Sequence, residues 1–348
     1  MGSESAPHLL VPEGDARRGT RPEQPEPFLR GVAWPGTSRV PYPRANPIDR
    51  LRLPGDTWQM ASIPAGVRLE IAGDADEVEI AYRTTTDQLG YRGDGAGVSF
   101  AAWTVDGLVA EQPAELGEGK VRLPLADPNR TIVYLPEGMR PWILEVTGVG
   151  GAIESAPAQP RWLVYGDSVA EGWIASSPAG SWPAIAGRRH GLEHVNLGYA
   201  GAGRGEIATA EQIAKLDAAL ITVSHGTNCW TRTPHSVGQM AANTAAFLDV
   251  LRQDHPTTPI QVVTPVIRPD AENEPNRFGA TLAMLRQTMA SVARNRMADD
   301  RHMSLVDGLA LIDEPQLGDG VHPDDSGHEA MAAAIGADAA ALLARAVA

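Results

Sequence analysis

The chain has 348 residues and a formal net charge of −14, from 29 basic and 43 acidic residues. This length allows one large domain or two ordinary ones, and the acidic balance argues against a general electrostatic affinity for nucleic acid or anionic membranes. The single cysteine, Cys229, excludes an internal disulfide and a multi-cysteine metal site.

Residues 1–50 are rich in proline and show little hydrophobic periodicity. Because proline fixes φ and supplies no backbone donor, we expect extended chain on the surface here. The first residues contain no apolar run long enough for a secretory signal, and no stretch reaches the roughly 18 apolar residues of a spanning helix. The sequence as it stands predicts a cytoplasmic protein without membrane attachment, or a secreted one if a leader has been removed.

Residues 51–156 contain short β-prone runs separated by glycine, proline and aspartate. The runs cover residues 67–71, 77–84, 98–105, 120–125, 131–135 and 142–146. Several short strands with turn signals between them favour an antiparallel β-sandwich, here of the jelly-roll type. Such a domain braces its neighbour, forms one wall of the neighbour's site or binds a glycan, and the strand pattern does not choose among these roles.

Strand and helix patterns alternate over residues 157–348. Predicted strands cover 161–166, 218–224, 259–266 and 303–306, and predicted helices cover 182–190, 206–216, 236–254, 278–297 and 326–346. This alternation predicts an α/β domain with a parallel sheet covered on both faces. Ligands in such folds bind beyond the carboxyl ends of the strands.

A serine stands where the first of these strands ends. The apolar run that begins at Trp162 stops at Gly166, and Asp167 and Ser168 follow. A serine in this position projects its hydroxyl into the crevice where substrates bind. Gly-Asp-Ser also occurs in ordinary turns whose side chains bond to the backbone, so the motif alone does not establish a nucleophile.

A loop near the C-terminus supplies a candidate base. A serine hydroxyl is a poor nucleophile until an imidazole takes its proton, and the imidazole needs an acceptor that fixes its tautomer. Asp319 precedes His322 by three residues in a glycine-rich loop before the last helix. His302 and His328 follow an aspartate at the same interval, so the spacing alone does not single out His322. What distinguishes His322 is its position in a glycine-rich loop before a helix. A loop histidine beside a helix-capping aspartate is the alternative in isolation.

Two further segments offer donors for the negative charge that develops on a carbonyl oxygen during acyl transfer. Small residues lie between Gly198 and Gly203, where a backbone N–H can approach a ligand, and Asn228 follows another buried strand. Glycine-rich turns and turn asparagines are also common without a catalytic role.

Together these blocks resemble one family. Gly166-Asp-Ser168, the glycine segment ending at Gly201, Gly226-Thr-Asn228 and Asp319-Gly-Val-His322 occur in the order and spacing of the four motif blocks of SGNH (GDSL-type) hydrolases. The resemblance implies a three-layer, flavodoxin-like domain over residues 157–348, with Ser168 as nucleophile, His322 as base and Asp319 as its orienting partner. It implies an oxyanion hole formed by the N–H groups of Ser168 and Gly201 and the side chain of Asn228; Gly201 matches the family better than Gly198.

Two features are similar to carbohydrate acetylesterases. Residues 166–173 resemble a form of the motif common among acetyl esterases that act on carbohydrates, with Val169 and Ala170 replacing isoleucine and threonine. A β-sandwich ahead of the hydrolase domain is typical of the two-domain members. Many of those rely on a Ser-His dyad, whereas this chain retains Asp319.

The leading function hypothesis is a serine esterase that hydrolyses a short O-acyl ester, O-acetyl above all, of a carbohydrate or specialised metabolite, with no cofactor or metal. Trp173, Trp230 and Arg204 are the candidate substrate contacts, although tryptophans more often serve packing and Arg204 is equally a solvated helix-start residue. The alternatives are an acyltransferase with the same triad, and a glycan-binding protein with a vestigial site.

Overall fold

The computed structural model describes residues 21–87 and 97–347. The first 20 residues of the proline-rich segment lie outside the described residues. Within the described ranges, every helix is too short or too polar to cross a membrane.

The strands before residue 157 form two antiparallel sheets. In the described ranges they are β1 (Leu29–Arg30), β2 (Arg68–Gly73), β3 (Glu77–Thr84), β4 (Ser99–Thr104), β5 (Gly107–Pro113), β6 (Gly117–Pro124), β7 (Thr131–Tyr134), β8 (Trp142–Val149) and β9 (Ile153–Ser155). One sheet has the order β1-β2-β7-β4-β5 with β9 beside β2, and the other has the order β6-β3-β8. The predicted antiparallel architecture is confirmed, and β1, β5 and β9 are additional strands.

The two antiparallel sheets share one hydrophobic core. Along β3 the side chains of Val78, Ile80 and Tyr82 are buried while their neighbours are more exposed, which is the period of two expected for a strand with one wet face. These side chains belong to the same cluster as Leu69 of β2 and Val133 of β7. The core therefore lies between the sheets.

The remaining chain forms an α/β domain. Its strands are β10 (Arg161–Gly166), β11 (Glu193–Gly198), β12 (Leu220–Ser224), β13 (Ile260–Val263) and β14 (Met303–Val306). The helices of the described chain are α1 (Gly55–Ala61), α2 (Ser168–Glu171), α3 (Trp182–His190), α4 (Ile207–Ile213), α5 (Val237–Asp254), α6 (Leu282–Met297) and α7 (Asp325–Val347). The sheet is parallel, in the order β11-β10-β12-β13-β14. This is the flavodoxin-like order, so the predicted three-layer fold is confirmed.

Helices cover both faces of this sheet. Trp162 and Val164 of β10 pack in a cluster with side chains of α3 and α7, whereas Leu163 and Tyr165 pack in a cluster with side chains of α4, α5 and α6. Burial on both faces explains why β10 is an uninterrupted apolar run rather than an alternating one. Trp182, at the start of α3, is fully buried and packs in the core of this domain.

Part of the chain that precedes β2 packs on the α/β domain. Trp34, Ala45, Leu53 and Ala61 belong to the same core cluster as side chains of β10 and β11. The sequence predicts surface chain for residues up to 50, but prolines report the backbone conformation and not its burial. The core of the α/β domain is therefore completed by residues that precede it by more than 90 positions.

Candidate active site

The site lies at the carboxyl ends of three neighbouring parallel strands. Ser168 follows β10 as the first residue of α2, Gly201 follows β11, and Asn228 follows β12. The strand order reverses at β10, and this reversal opens a crevice at the carboxyl edge of the sheet. The loop between β14 and α7 brings His322 to the same place.

Ser168, His322 and Asp319 form a continuous hydrogen-bonded chain. Ser168 Oγ lies 2.9 Å from His322 Nε2, and His322 Nδ1 lies 2.7 Å from Asp319 Oδ2. When Nδ1–H donates to the carboxylate, Nε2 keeps a lone pair that accepts the Ser168 hydroxyl proton. The structure thus brings together the three residues that the sequence singled out.

The Asp319 carboxylate is held by its own loop. Its Oδ1 accepts hydrogen bonds from the backbone N–H groups of Val321 and His322, at 3.0 and 2.8 Å. Burial raises the pKa of Asp319, but the hydrogen bonds from the side chain and backbone of His322 outweigh it and lower the pKa below 3.8. Asp319 is therefore ionised at neutral pH and orients the imidazole.

Asp167 connects the Ser168 turn to the Asn228 loop. Its side chain accepts a hydrogen bond from the N–H of Val169, at 3.0 Å, and so caps α2. Burial raises the pKa of Asp167 to about 6, and hydrogen bonds from the backbone N–H groups of Val169, Thr227 and Gly226 oppose this increase. The carboxylate thereby joins the end of β10 to the loop after β12.

Three donors at the site have no acceptor among the described residues. They are the backbone N–H groups of Ser168 and Gly201 and the side-chain Nδ2 of Asn228. Asn228 is only 5% exposed, and leaving a buried amide unpaired costs about 1–3 kcal/mol. A buried donor at a cavity wall forms its hydrogen bond when a bound ligand supplies the acceptor.

The glycine segment after β11 contains other N–H groups, and these are occupied. Gly198 N–H donates to Asn196 Oδ1 at 2.9 Å, and Ala200 N–H donates to Glu171 Oε2 at 2.6 Å. Gly201 has a φ of +68°, a conformation that favours glycine. The structure therefore leaves the N–H of Gly201, and not that of Gly198, available to a ligand.

A buried ion pair lies behind this glycine segment. Arg44 Nη2 and Glu171 Oε1 are 3.6 Å apart, and both side chains have no exposed surface. Arg44 also donates to the carbonyls of Gly198, Asn196, Ile63 and Met60. The pair thus holds both ends of the turn from residue 198 to residue 200. Sequence reasoning missed it, because nothing near Arg44 indicates a partner 127 positions away.

A cavity of about 800 Å³ opens above Ser168. Asp56, Gln59 and Met60 of α1 line one of its walls, and Trp173 and Val321 line it beside His322. The sequence left three roles open for the region before residue 157. Its α1 contributes to the wall of the site, a role no sequence motif pointed to.

Trp173 is the one candidate substrate contact that lies in the cavity. Its ring centre is 5.8 Å from that of His322. Arg204 is instead engaged within the protein: its Nη atoms donate to Asp56 at 2.8 and 3.0 Å, and its Nε donates to Glu206 at 3.1 Å. The structure does not place Arg204 on the described cavity lining, and a contact between Arg204 and substrate stays a prediction.

Trp230 also lies off the described cavity lining. Its Nε1 donates to the carbonyl of Glu274 at 2.8 Å, and the guanidinium of Arg268 lies over its ring at 5.0 Å from the centre. Arg268 itself lines the cavity, together with Arg232. Trp230 therefore packs against a residue of the cavity wall, and a contact between Trp230 and substrate stays a prediction. Arg268 lies five residues beyond β13, so the rule that ligands bind at strand ends was the available signal for it.

The pKa of His322 sets the expected dependence of activity on pH. Burial lowers this pKa below 6.5, Asp319 opposes the decrease, and the charge of Arg268 adds to it. A general base must be unprotonated, so kcat/KM should rise with pH and reach half its maximum below pH 6.5. Steady-state rates on a neutral ester from pH 4 to pH 9 measure this, and a midpoint at or above pH 7 would contradict it.

The variant Asp319→Asn tests whether protonation of His322 causes the loss of activity at low pH. Asp167, with its pKa of about 6, titrates in the same range. Loss of the Asp319 charge removes the interaction that raises the His322 pKa, so the midpoint of the residual activity should move to lower pH. If the midpoint stays at the wild-type pH, the loss of activity at low pH is due to another group.

Comparisons with known proteins agree with this geometry. Residues 164–330 match the GDSL-like Lipase/Acylhydrolase family. This segment is a GDSL-like lipase/acylhydrolase (SGNH) domain. A search of curated proteins found no match.

Solved structures resemble nearly the whole chain, including the part before the GDSL-like domain. A salicylyl-acyltransferase, SsfX3, from a tetracycline biosynthetic pathway has a TM-score of 0.77 and 24% identity, over 93% of this chain and 96% of its own. A putative GDSL-like lipase from Bacteroides ovatus has a TM-score of 0.75 and 21% identity, over 94% and 98%. An acetyl xylan esterase from Butyrivibrio proteoclasticus has a TM-score of 0.57 and 13% identity, over 92% and 98%. At these identities the likeness establishes a shared fold.

Proposed function

We propose that the protein is a serine esterase that hydrolyses short O-acyl esters, acetyl esters above all, of a carbohydrate or specialised metabolite. The observation that carries the proposal is the hydrogen-bonded chain of Asp319, His322 and Ser168 beside three unoccupied N–H donors. This is the arrangement that activates a hydroxyl and stabilises an oxyanion at one point.

The reaction begins when Ser168 Oγ attacks the ester carbonyl carbon and its proton passes to His322 Nε2. The carbonyl oxygen becomes negatively charged and accepts hydrogen bonds from Ser168 N–H, Gly201 N–H and Asn228 Nδ2. Collapse of this intermediate breaks the bond to the leaving oxygen, which takes the proton from His322. Water, deprotonated by the same Nε2, then attacks the acyl enzyme and releases the acid and Ser168.

The cavity lining supports a short acyl group attached to a polar remainder. Its larger apolar side chains are Met60, Trp173 and Val321, and most of the other lining side chains are polar or charged. A long acyl chain gains binding energy only from a continuous apolar surface, at about 25 cal/mol for each Å² removed from water. A cavity with few large apolar side chains gives little of this energy to a long chain.

The acyl preference is tested with p-nitrophenyl acetate, butyrate and octanoate. We expect kcat/KM to fall with chain length, with octanoate at least about tenfold below acetate, because the added methylene groups find few apolar contacts. The rates are corrected with Ser168→Ala as the background. A rate that rises from acetate to octanoate would refute the preference for short acyl groups.

The oxyanion role of Asn228 is tested by Asn228→Ala. Removal of one oxyanion donor lowers kcat by about 10²- to 10³-fold, and we expect this loss with a small change in KM. Because Nδ2 has no acceptor among the described residues, its removal breaks no hydrogen bond of Nδ2, and the free energy of unfolding should not fall by more than about 1 kcal/mol. The exposed Asn295 on α6 gives the matched control, Asn295→Ala. Full activity in Asn228→Ala would remove Asn228 from the mechanism.

Acyl transfer is the second candidate function. It is supported by the fold shared with a salicylyl-acyltransferase and by a cavity volume within the usual range for sites of small organic ligands. The acyl enzyme would be the same, and an acceptor hydroxyl would replace water in the second step. Chromatography of the products with sugar or polyol acceptors present separates the two functions, because transfer yields a new ester in place of the free acid.

A further inference from the structure

The charged side chains that line the cavity do not balance one another. In the described part of the chain they are Asp56, Arg232 and Arg268, beside the neutral His322. Both carboxylate oxygens of Asp56 are bound by Arg204. Arg268 is paired through Nε and Nη2 with Asp270, at 2.8 and 3.1 Å. One cation therefore remains to be accounted for.

That cation is Arg232. No described carboxylate or carbonyl accepts a hydrogen bond from its guanidinium, and its side chain is exposed to the cavity mouth. Its guanidinium is therefore available to a ligand that enters the cavity. A guanidinium offers two parallel N–H groups that match the two oxygens of a carboxylate.

The orientation of Arg232 relative to the glycine segment indicates where such a group would bind. A methyl group placed on Gly201 would lie 3.7 Å from each of the Cζ, Nε and Nη2 atoms of Arg232. A point equidistant from these three atoms lies over the face of the guanidinium, so Gly201 faces the plane and not its edge. The N–H bonds lie in that plane and do not point at Gly201. They are available to a ligand group that lies beside Gly201, in the plane of the guanidinium.

We propose that the substrate of this esterase carries a carboxylate that Arg232 binds at the cavity mouth, while the ester carbonyl lies at Ser168. The inference rests on the proposed esterase function and narrows its substrate class to anionic esters. A single carboxylate matches the single unpaired guanidinium, whereas a dianion would leave one negative charge uncompensated in an acidic protein.

The test compares each carboxylated ester with its own methyl ester. In one arm the carboxylate is on the alcohol side, as 4-acetoxybenzoate against methyl 4-acetoxybenzoate. In the other it is on the acyl side, as the monophenyl ester of adipic acid against its methyl phenyl diester. Phenol and acid products are separated by chromatography. The measured quantity is the ratio of kcat/KM for the anionic ester to that for its neutral partner.

We expect the wild type to favour the anionic ester by about 10- to 100-fold in one arm, the scale of a hydrogen bond to a charged group. Arg232→Gln should lower that ratio at least tenfold, and Arg232→Lys should lower it less, because lysine keeps the charge but loses the paired donors. Arg294, exposed on α6, gives the matched control: Arg294→Gln makes the same change in net charge and should leave the ratio as in the wild type. The ratio should also fall with rising ionic strength.

A wild-type ratio near 1 in both arms would overturn the proposal while leaving the esterase function intact. An unchanged ratio in Arg232→Gln, with both esters slowed equally, would also overturn it, because Arg232 would then act on the reaction centre. If none of the esters is hydrolysed, the esterase function fails and the carboxylate site is judged by calorimetry with 4-acetoxybenzoate. Binding heat in the wild type that is lost in Arg232→Gln supports the site, and no heat in the wild type refutes it.

Discussion

Ser168→Ala should lower kcat on p-nitrophenyl acetate by about 10⁴-fold or more. The hydroxyl that accepts the acyl group is removed, and His322, 2.9 Å away, is left without a proton to take. Binding is expected to persist, because the cavity walls and the oxyanion donors are unchanged. Circular dichroism and thermal denaturation should match the wild type.

The control for this prediction is a serine of the same domain outside the site. Ser291 lies on α6, and its hydroxyl donates to the carbonyl of Gln287 at 2.8 Å. Ser291→Ala should keep wild-type kcat. Hydrolysis by Ser168→Ala at more than about 1% of the wild-type rate, with contaminating esterase removed, would assign the nucleophile to another group.

The second large effect concerns stability. Arg44→Met leaves the Glu171 carboxylate buried without its cation and removes the donor for four backbone carbonyls. Breaking a buried ion pair by removing one partner costs about 3–5 kcal/mol, so we expect a loss of that size in the free energy of unfolding, measured by urea denaturation. The kcat should also fall, because Glu171 holds the N–H of Ala200 next to Gly201.

Two further variants provide a control and a rescue for this prediction. Arg52, eight residues after Arg44, pairs with Asp49 and Glu211 but is largely exposed. The variant Arg52→Met should therefore change the free energy of unfolding little. If Arg44→Met does not fold, the double variant Arg44→Met, Glu171→Gln should recover stability, since it removes the uncompensated charge. A wild-type unfolding midpoint in Arg44→Met would contradict the role given to the pair.

The same contacts bear on the independence of the α/β domain. A fragment lacking residues 1–155 loses Arg44 and also the core side chains Trp34, Leu53 and Ala61. Because the cavity wall from α1 is lost with them, the fragment is expected to be neither stable nor equivalent in its kinetics.

Local patterns account for what the sequence predicted well. β10, α3 and β14 begin and end in the structure at the predicted residues, because an apolar run or a helix start is recorded within a few neighbouring positions. α5 starts at Val237, one residue after the predicted start, and Ser236 is its N-cap and forms a capping box with Gln239. Ser168, His322 and Asp319 were found for a similar reason, since each lies in a short motif at the end of an element.

The features that sequence reasoning missed depend on distant contacts. Arg44 acquires its role only when the chain before β2 packs under the glycine turn, and the role proposed for Arg232 depends on its place in the cavity lining. The guanidinium of Arg204 likewise has a partner that is distant in sequence, the carboxylate of Asp56 on α1. Sequence distance carries no information about such pairs, so their partners emerge only from the fold.

The most direct test of the account is covalent labelling of the nucleophile with diisopropyl fluorophosphate, read by intact-protein mass and peptide mapping. One diisopropylphosphoryl group per chain is expected on Ser168, and ester hydrolysis should fall in proportion to the labelled fraction. No label is expected in Ser168→Ala, and His322→Gln should be labelled more slowly. A protein that hydrolyses esters while staying unlabelled, or whose label maps to another residue, would contradict the proposal that Ser168 is the activated nucleophile.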